Sequence, residues 1–188
     1  GEPAEIRGRL VQQVTAPVAN ATLAVEIPQS LTRQCQRIAA ILRERQSQAG
    51  VKTVAVASAA TGEGKTSTVL GLAQALTRMG ANRVLVVDAD LCQSTLHETI
   101  RAKPAAGLID ILSDERRKAP PIVLHPSLHV LLAGRASTHP VVDLNSESLR
   151  ALLKQCATHY DWVLVDTPAM SLLDDDADVV GRLADGIV

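Results

Sequence analysis

Ten residues, Ser58-Ala59-Ala60-Thr61-Gly62-Glu63-Gly64-Lys65-Thr66-Ser67, lie between an apolar run (Val54 to Ala57) and a helical pattern carried by Val69, Leu70, Ala73 and Leu76. A glycine turn between a strand and a helix N-terminus is a phosphate cradle. In such a loop the segment from Ala60 through Thr61, Gly62, Glu63, Gly64, Lys65 and Thr66 to Ser67 would wrap the anion. Backbone N–H groups would surround the phosphates, the helix end would add partial positive charge, Lys65 would reach the outer phosphates and Thr66 could ligate magnesium. The pattern G-x-x-x-x-G-K-[ST] is met except at its first position. Ala59 replaces glycine there and requires an ordinary backbone angle. A chance Gly-x-Gly-Lys-Thr on a surface loop would lack the strand before it and the helix after it.

Two further apolar runs end in acid: Val84 to Val87 leads into Asp88-Ala89-Asp90, and Trp162 to Val165 into Asp166-Thr167-Pro168. In open α/β sheets, ligands sit outside the carboxyl ends of the strands. Carboxylates beside a triphosphate repel it unless a magnesium ion intervenes, and magnesium takes hard oxygen ligands while keeping several waters. Asp88 and Asp166 are therefore expected as direct or outer-shell magnesium carboxylates, with Thr66 and phosphate oxygens completing the octahedron. The bland alternative is that each Asp caps the turn that follows it. Asp90, two residues on, faces the same way as Asp88 if the strand persists. It could orient or deprotonate an attacking hydroxyl or water, or add to the magnesium shell. The residues expected to carry the chemistry are thus Lys65, Asp88 and Asp90.

These residues must be positioned by a scaffold, and the composition describes one. The 188 residues suit one domain, and the apolar share is Leu, Val, Ala and Ile, with no Phe, one Trp and one Tyr. That palette fits a buried parallel sheet covered by helices. A net charge of −1 gives no basic footprint for nucleic acid. Cys35, Cys92 and Cys156 make neither a disulfide framework nor a zinc pattern, and the five histidines lack metal spacing. No apolar run reaches membrane-spanning length and no signal peptide opens the sequence, so a cytoplasmic location is expected.

Residues 1–30, with Pro3, Pro17 and Pro28, read as a linker or N-terminal extension with at most short strands. Residues 31–188 read as one nucleotide-binding domain. It opens with a helix capped by Ser30 and packed through Leu31, Cys35, Ile38, Ala39 and Leu42. A strand at 51–58, a helix at 65–79 stopped by Gly80, and the strand ending in Asp88 follow. A short helix around Leu108 to Leu112, a break at Pro120-Pro121, a strand from Leu128 to Leu132 and a helix from Asn145 to about 158 come next. The strand ending in Asp166 precedes a last helix capped by Asp175 or Asp176. Gly186-Ile187-Val188 looks like a strand cut short, so the C-terminus is expected to be truncated. Strands alternating with helices imply an α/β fold, a mostly parallel sheet with helices on both faces.

Taken in order, the three motifs resemble those of the bacterial tyrosine kinases that control capsule and exopolysaccharide synthesis, members of the deviant phosphate-loop ATPases. Gly62-Glu63-Gly64-Lys65-Thr66 matches their loop. Val86-Val87-Asp88-Ala89-Asp90-Leu91 matches their second motif, with Cys92 where arginine is expected. Leu164-Val165-Asp166-Thr167-Pro168 matches the third. The septum-positioning and partition ATPases are wider relatives, but Ala60 stands where those carry a signature lysine. The resemblance implies ATP and Mg2+ as cofactors and phosphoryl transfer to tyrosine. It also implies a homo-oligomer, and a membrane-anchored polysaccharide co-polymerase partner or fused membrane domain that brings the protein to the inner face of the membrane. Three departures weaken the kinase assignment: Cys92, Gln34 and Ala40 in the helix that bears Glu-x-x-Arg-x-x-Arg in the kinases, and the C-terminal tyrosine cluster, missing because the sequence stops in what looks like mid-sheet. Gln34, Ala40 and Cys92 support a second reading, an ATP-controlled scaffold or slow ATPase. Tyr160, just before a core strand, is expected to be structural. A partition-type ATPase would need a basic surface and the loop lysine.

Overall fold

The computed structural model describes residues 19–20, 27–60, 62–91, 94–103, 105–113, 119–134, 147–169 and 183–188. In chain order the elements are β1 (Ala19–Asn20), α1 (Gln29–Ala49), β2 (Thr53–Val56), α2 (Lys65–Arg78), β3 (Val84–Asp88), α3 (Leu96–Thr99), α4 (Leu108–Ser113), β4 (Ile122–His125), β5 (Leu128–Leu131), α5 (Glu147–His159), β6 (Trp162–Asp166) and β7 (Gly186–Ile187). The seven strands form one sheet in the order β1-β4-β5-β3-β6-β2-β7. Every neighbouring pair is parallel except β4 and β5.

The strands at the centre are buried along their whole length: all five residues of β3 and all five of β6. Buried on both faces, they read as continuous apolar runs rather than alternating ones. Their side chains still alternate between two cores. Leu85, Val87, Val163 and Val165 face a core completed by α4 and α5, whereas Val84, Val86, Trp162 and Leu164 face one completed by α1, α2 and α3. At the start of the strands two carboxylates set the register. Asp161, just before β6, accepts the backbone N–H groups of Asn82 (2.8 Å) and Arg83 (3.1 Å). Asp185, just before β7, does the same for Lys52 (2.9 Å) and Thr53 (2.8 Å).

Several expected boundaries move. Helix α1 starts at Gln29 with Pro28 in the cap position and no side-chain cap bond, so Ser30 is not its cap. Proline suits a helix start because no N–H is needed there. Strand β2 is shorter than 51–58, and β3 ends at Asp88, so Asp90 is not carried on a continuing strand. The residue pattern did not announce β4, and it allowed β1 only as a short strand in the N-terminal segment. β4 follows the Pro120-Pro121 break and forms a hairpin with β5, and β1 pairs with β4 at the sheet edge. The expected caps at Asn145 and at Asp175 or Asp176, and the last helix, lie outside the described residues. Among the described residues no helix is long and apolar enough to cross a membrane.

Candidate nucleotide and cation site

The site is assembled by the register of three central strands. Val56, the last residue of β2, pairs with Asp166, and Asp166 pairs with Asp88. Adjacent strands lie about 4.8 Å apart, so the two acids and the start of the loop are neighbours on one rim. Beyond the ladder, Thr167 holds the rim closed by donating from its N–H (3.3 Å) and its hydroxyl (2.9 Å) to the Val56 carbonyl. The Ala89 N–H donates to the Asp166 carbonyl at 2.8 Å.

The loop leaves β2 and enters α2 through two glycines in the left-handed region, Gly62 at φ 84° and Gly64 at φ 85°. Those angles suit glycine alone, and the space where a Cβ would project is open at both. Ala59 does not share them: among the described residues only Arg101 is a non-glycine with positive φ. Inside the loop the Glu63 carboxylate accepts the Ala60 N–H (3.0 Å), and Lys65 donates its ammonium to the Ser58 hydroxyl (2.9 Å). Helix α2 opens at Lys65, so unpaired N–H groups of its first turn lie in the same place as the lysine. Ser67 is the third residue of that turn. Thr61 and Cys92 lie outside the described residues.

The two acids are bonded differently. Asp166 Oδ2 accepts the Thr66 hydroxyl at 2.8 Å, while its Oδ1 is buried and has no hydrogen-bond partner among the described residues. Asp88 is engaged at both oxygens, Oδ1 by the Asp90 N–H (3.2 Å) and Oδ2 by the Ser94 hydroxyl (2.5 Å). The bond to the N–H two residues on is the turn-capping geometry, so Asp88 caps its turn as well as facing the rim. Burial pushes the Asp88 carboxyl up to about 7, opposed by the Ser94 bond and reinforced by the charges of Asp166 and Asp90. Burial also pushes Asp166 up to about 6, opposed by the Thr66 bond and the Lys65 charge and reinforced by Asp90. Asp90 therefore acts on both acids through space although it is off the strand.

A cation fits this donor set. A buried carboxylate oxygen without a partner, a hydroxyl beside it and a second carboxylate that raises the local negative charge are an incomplete oxygen shell. Among the described residues no three His, Cys, Asp or Glu side chains form a self-sufficient metal cage. Magnesium beside a triphosphate does not need one, because phosphate oxygens and waters supply the remaining positions.

The structure thus brings Lys65, Thr66, Asp88, Asp90 and Asp166 together. Ser94, on the chain between β3 and α3, is a site neighbour that the residue pattern did not single out. Nothing in a lone serine within a connecting stretch marks it. Tyr160 sits at the opposite end of β6, 2% exposed, its hydroxyl 2.9 Å from His129 Nδ1 and its ring under the Arg83 guanidinium.

Known proteins are similar to this chain in sequence and in fold. The chain is 33% identical over 140 residues to the tyrosine-protein kinase YwqD of Bacillus subtilis, covering 73% of this chain and 58% of that protein. Among solved structures, the kinase domain of the Escherichia coli tyrosine kinase ETK superposes with a TM-score of 0.73 at 26% identity, over 81% of this chain and 60% of that one. The septum site-determining protein MinD from Pyrococcus horikoshii, complexed with Mg-ADP, shares the fold, with a TM-score of 0.60 at 24% identity over 72% of this chain and 56% of that one. The chain spans less than two thirds of the length of each. The profile of the CobQ/CobB/MinD/ParA nucleotide binding domain matches residues 54–178, which include the loop and both strand-end acids, and the chain belongs to that family.

Proposed function

We propose that the domain binds ATP with Mg2+ at the carboxyl rim of the sheet and transfers the terminal phosphoryl group to a tyrosine hydroxyl. It would do so as part of a protein-tyrosine kinase of the exopolysaccharide and capsule type. The observation that carries the reading is the Thr66–Asp166 bond beside the partnerless Asp166 Oδ1, on the same rim as Lys65. Similarity to proteins named tyrosine-protein kinases supports the choice of acceptor.

Phosphoryl transfer depends mainly on positioning and charge stabilisation. Lys65 and the amides from Gly62 to Thr66 would hold the phosphates. Thr66, Asp88 and Asp166 hold the cation, which when bound offsets the charge of the phosphate oxygens. Asp90, within electrostatic reach of both acids, orients the attacking hydroxyl. Tyr160 is closed off in the opposite rim, so the acceptor is another tyrosine. The expected location is the cytoplasm, at the inner face of the membrane through a polysaccharide co-polymerase partner or a fused membrane domain, with self-association.

Charge-assisted hydrogen bonds contribute about 1.5–3 kcal/mol each. Removing the lysine in Lys65→Ala should weaken ATP binding about tenfold or more, and an unchanged affinity by calorimetry would count against the site. Phosphotyrosine should form on the parent protein and vanish in Asp88→Asn.

A second reading, a nucleotide-controlled scaffold or slow ATPase, is favoured by the outer face of α1. Gln34 and Ala40 are exposed there where the kinases carry charge, and Cys92 replaces arginine. Tight Mg·ATP binding without phosphotyrosine on the parent protein would select it.

A further inference from the structure

Asp88 is the more buried of the two rim acids in its hydrogen bonding, held at both oxygens, and the second of those bonds comes from an unexpected direction. Residues 89 and 91 are packed in the core on the α4–α5 side of the sheet, whereas Leu96 and Ile100 are packed in the core on the α1–α2 side. Leu91 (5% exposed) and Leu96 (0%) are thus buried on opposite faces of the sheet. Ser94, between them in sequence, meets Asp88 at the carboxyl end of β3 at 2.5 Å.

With the Asp90 N–H on Oδ1 and the Ser94 hydroxyl on Oδ2, the plane of the Asp88 carboxylate is set by two donors. Each oxygen keeps a lone pair for a further partner. Asp166, in contrast, is held among the described residues by Thr66 alone, and its Oδ1 has no partner among them. We infer that Ser94 is a positioning residue: it holds Asp88 in the orientation that receives the cation's shell, and so tunes cation affinity rather than nucleotide affinity. The inference rests on the proposed Mg·ATP site. Groups that orient metal-binding side chains commonly matter almost as much as the ligands themselves.

The test is calorimetric titration of ATP into the protein over a range of MgCl2 and again in EDTA. It compares the native chain with Ser94→Ala and Ser94→Thr, with melting temperatures of the nucleotide-free proteins alongside. Ser94→Ala should raise the Mg2+ concentration for half-maximal binding about tenfold, the low end for loss of such an orienting bond. Its affinity for ATP in EDTA should match that of the native chain, and Ser94→Thr, which keeps the hydroxyl, should restore the native Mg2+ requirement. If Ser94→Ala melts below the assay temperature, Ser94→Cys takes its place, and its weaker donor should give an intermediate rise. A native Mg2+ requirement in the alanine or cysteine variant overturns the inference. So does a parallel loss of affinity in EDTA, which would mark a general structural role. A native chain whose ATP binding ignores Mg2+ altogether overturns the site itself, and the role of Ser94 with it.

Discussion

At the rim, Asp88 and Asp166 are costly residues. Both are almost fully buried, Asp88 faces the charge of Asp166 and both face that of Asp90, and their carboxyls are raised to about 7 and about 6. An acid whose pKa is raised on folding binds more protons folded than unfolded. Its contribution is therefore fully present below the unfolded pKa, near 4, and is lost as pH rises through the folded value. The nucleotide-free domain should accordingly be more stable at pH 5 than at pH 8, by about 2–3 kcal/mol from Asp88 alone. Asp88→Asn removes the charge and keeps the shape, and asparagine can still accept the Asp90 N–H. It should raise the melting temperature at pH 8, flatten the decline between pH 5 and pH 8, and abolish Mg2+-dependent binding. A variant that melts at or below the native temperature at pH 8 would show that the charge is not the destabilising element. Such a trade of stability for chemistry is common at functional sites. The loop and both strand-end acids were legible because each is an apolar run ended by a fixed pattern. Asp90 was legible as a neighbour of the rim acids but not in its geometry, since β3 stops before it. Ser94 was not legible, because its place depends on Leu91 and Leu96 being buried on opposite faces of the sheet.

The elements next to the rim are held by close backbone contact. At Gly107 a Cβ would lie 2.1 Å from the Leu132 carbonyl oxygen and 2.3 Å from the Gly134 nitrogen. That approach lets the N–H groups of Leu108 and Ile109 donate to the carbonyls of Leu132 (2.8 Å) and Ala133 (2.9 Å), fastening α4 onto the chain leaving β5. Asp110 closes the turn by accepting the Gly107 N–H at 2.9 Å. Gly107→Ala must push backbone against backbone, and overpacking of this kind costs about 1–3 kcal/mol or more. Gly186→Ala, where the added carbon meets nothing within 4 Å, should stay within about 0.5 kcal/mol of native. Chemical denaturation of the two variants checks the contrast, and equal stabilities would show that the Gly107 contact relaxes freely. The sequence displays Gly107 without showing why it must be glycine, because the reason lies 25 residues away in the chain. β4 escaped notice for a related reason. It is a four-residue strand with a partly exposed pattern after a proline pair, and only its pairing with β5 and β1 makes it a strand.

On the scale of the whole molecule, the α/β class and the parallel centre of the sheet were legible from the order of apolar runs. The antiparallel β4–β5 pair was not. The two cores share their central strands, since alternate residues of β3 and β6 belong to opposite faces. Neither core can lose its packing without exposing strands that the other needs, which predicts one cooperative transition. The rim site draws on the same strands, β2, β3 and β6, so ligand binding should stabilise both halves together. At a free ATP concentration 100 times its dissociation constant, with saturating Mg2+, linkage gives about 2.7 kcal/mol. For a domain of this size that is a rise of about 5–10 °C in melting temperature. MgCl2 alone should do little, because the phosphate oxygens that complete the shell are missing, and ATP in EDTA should give a smaller rise than Mg·ATP. Scanning calorimetry should show a single peak that moves as one. Two peaks, of which only one responds to Mg·ATP, would show that the faces unfold separately and that the rim strands do not couple them.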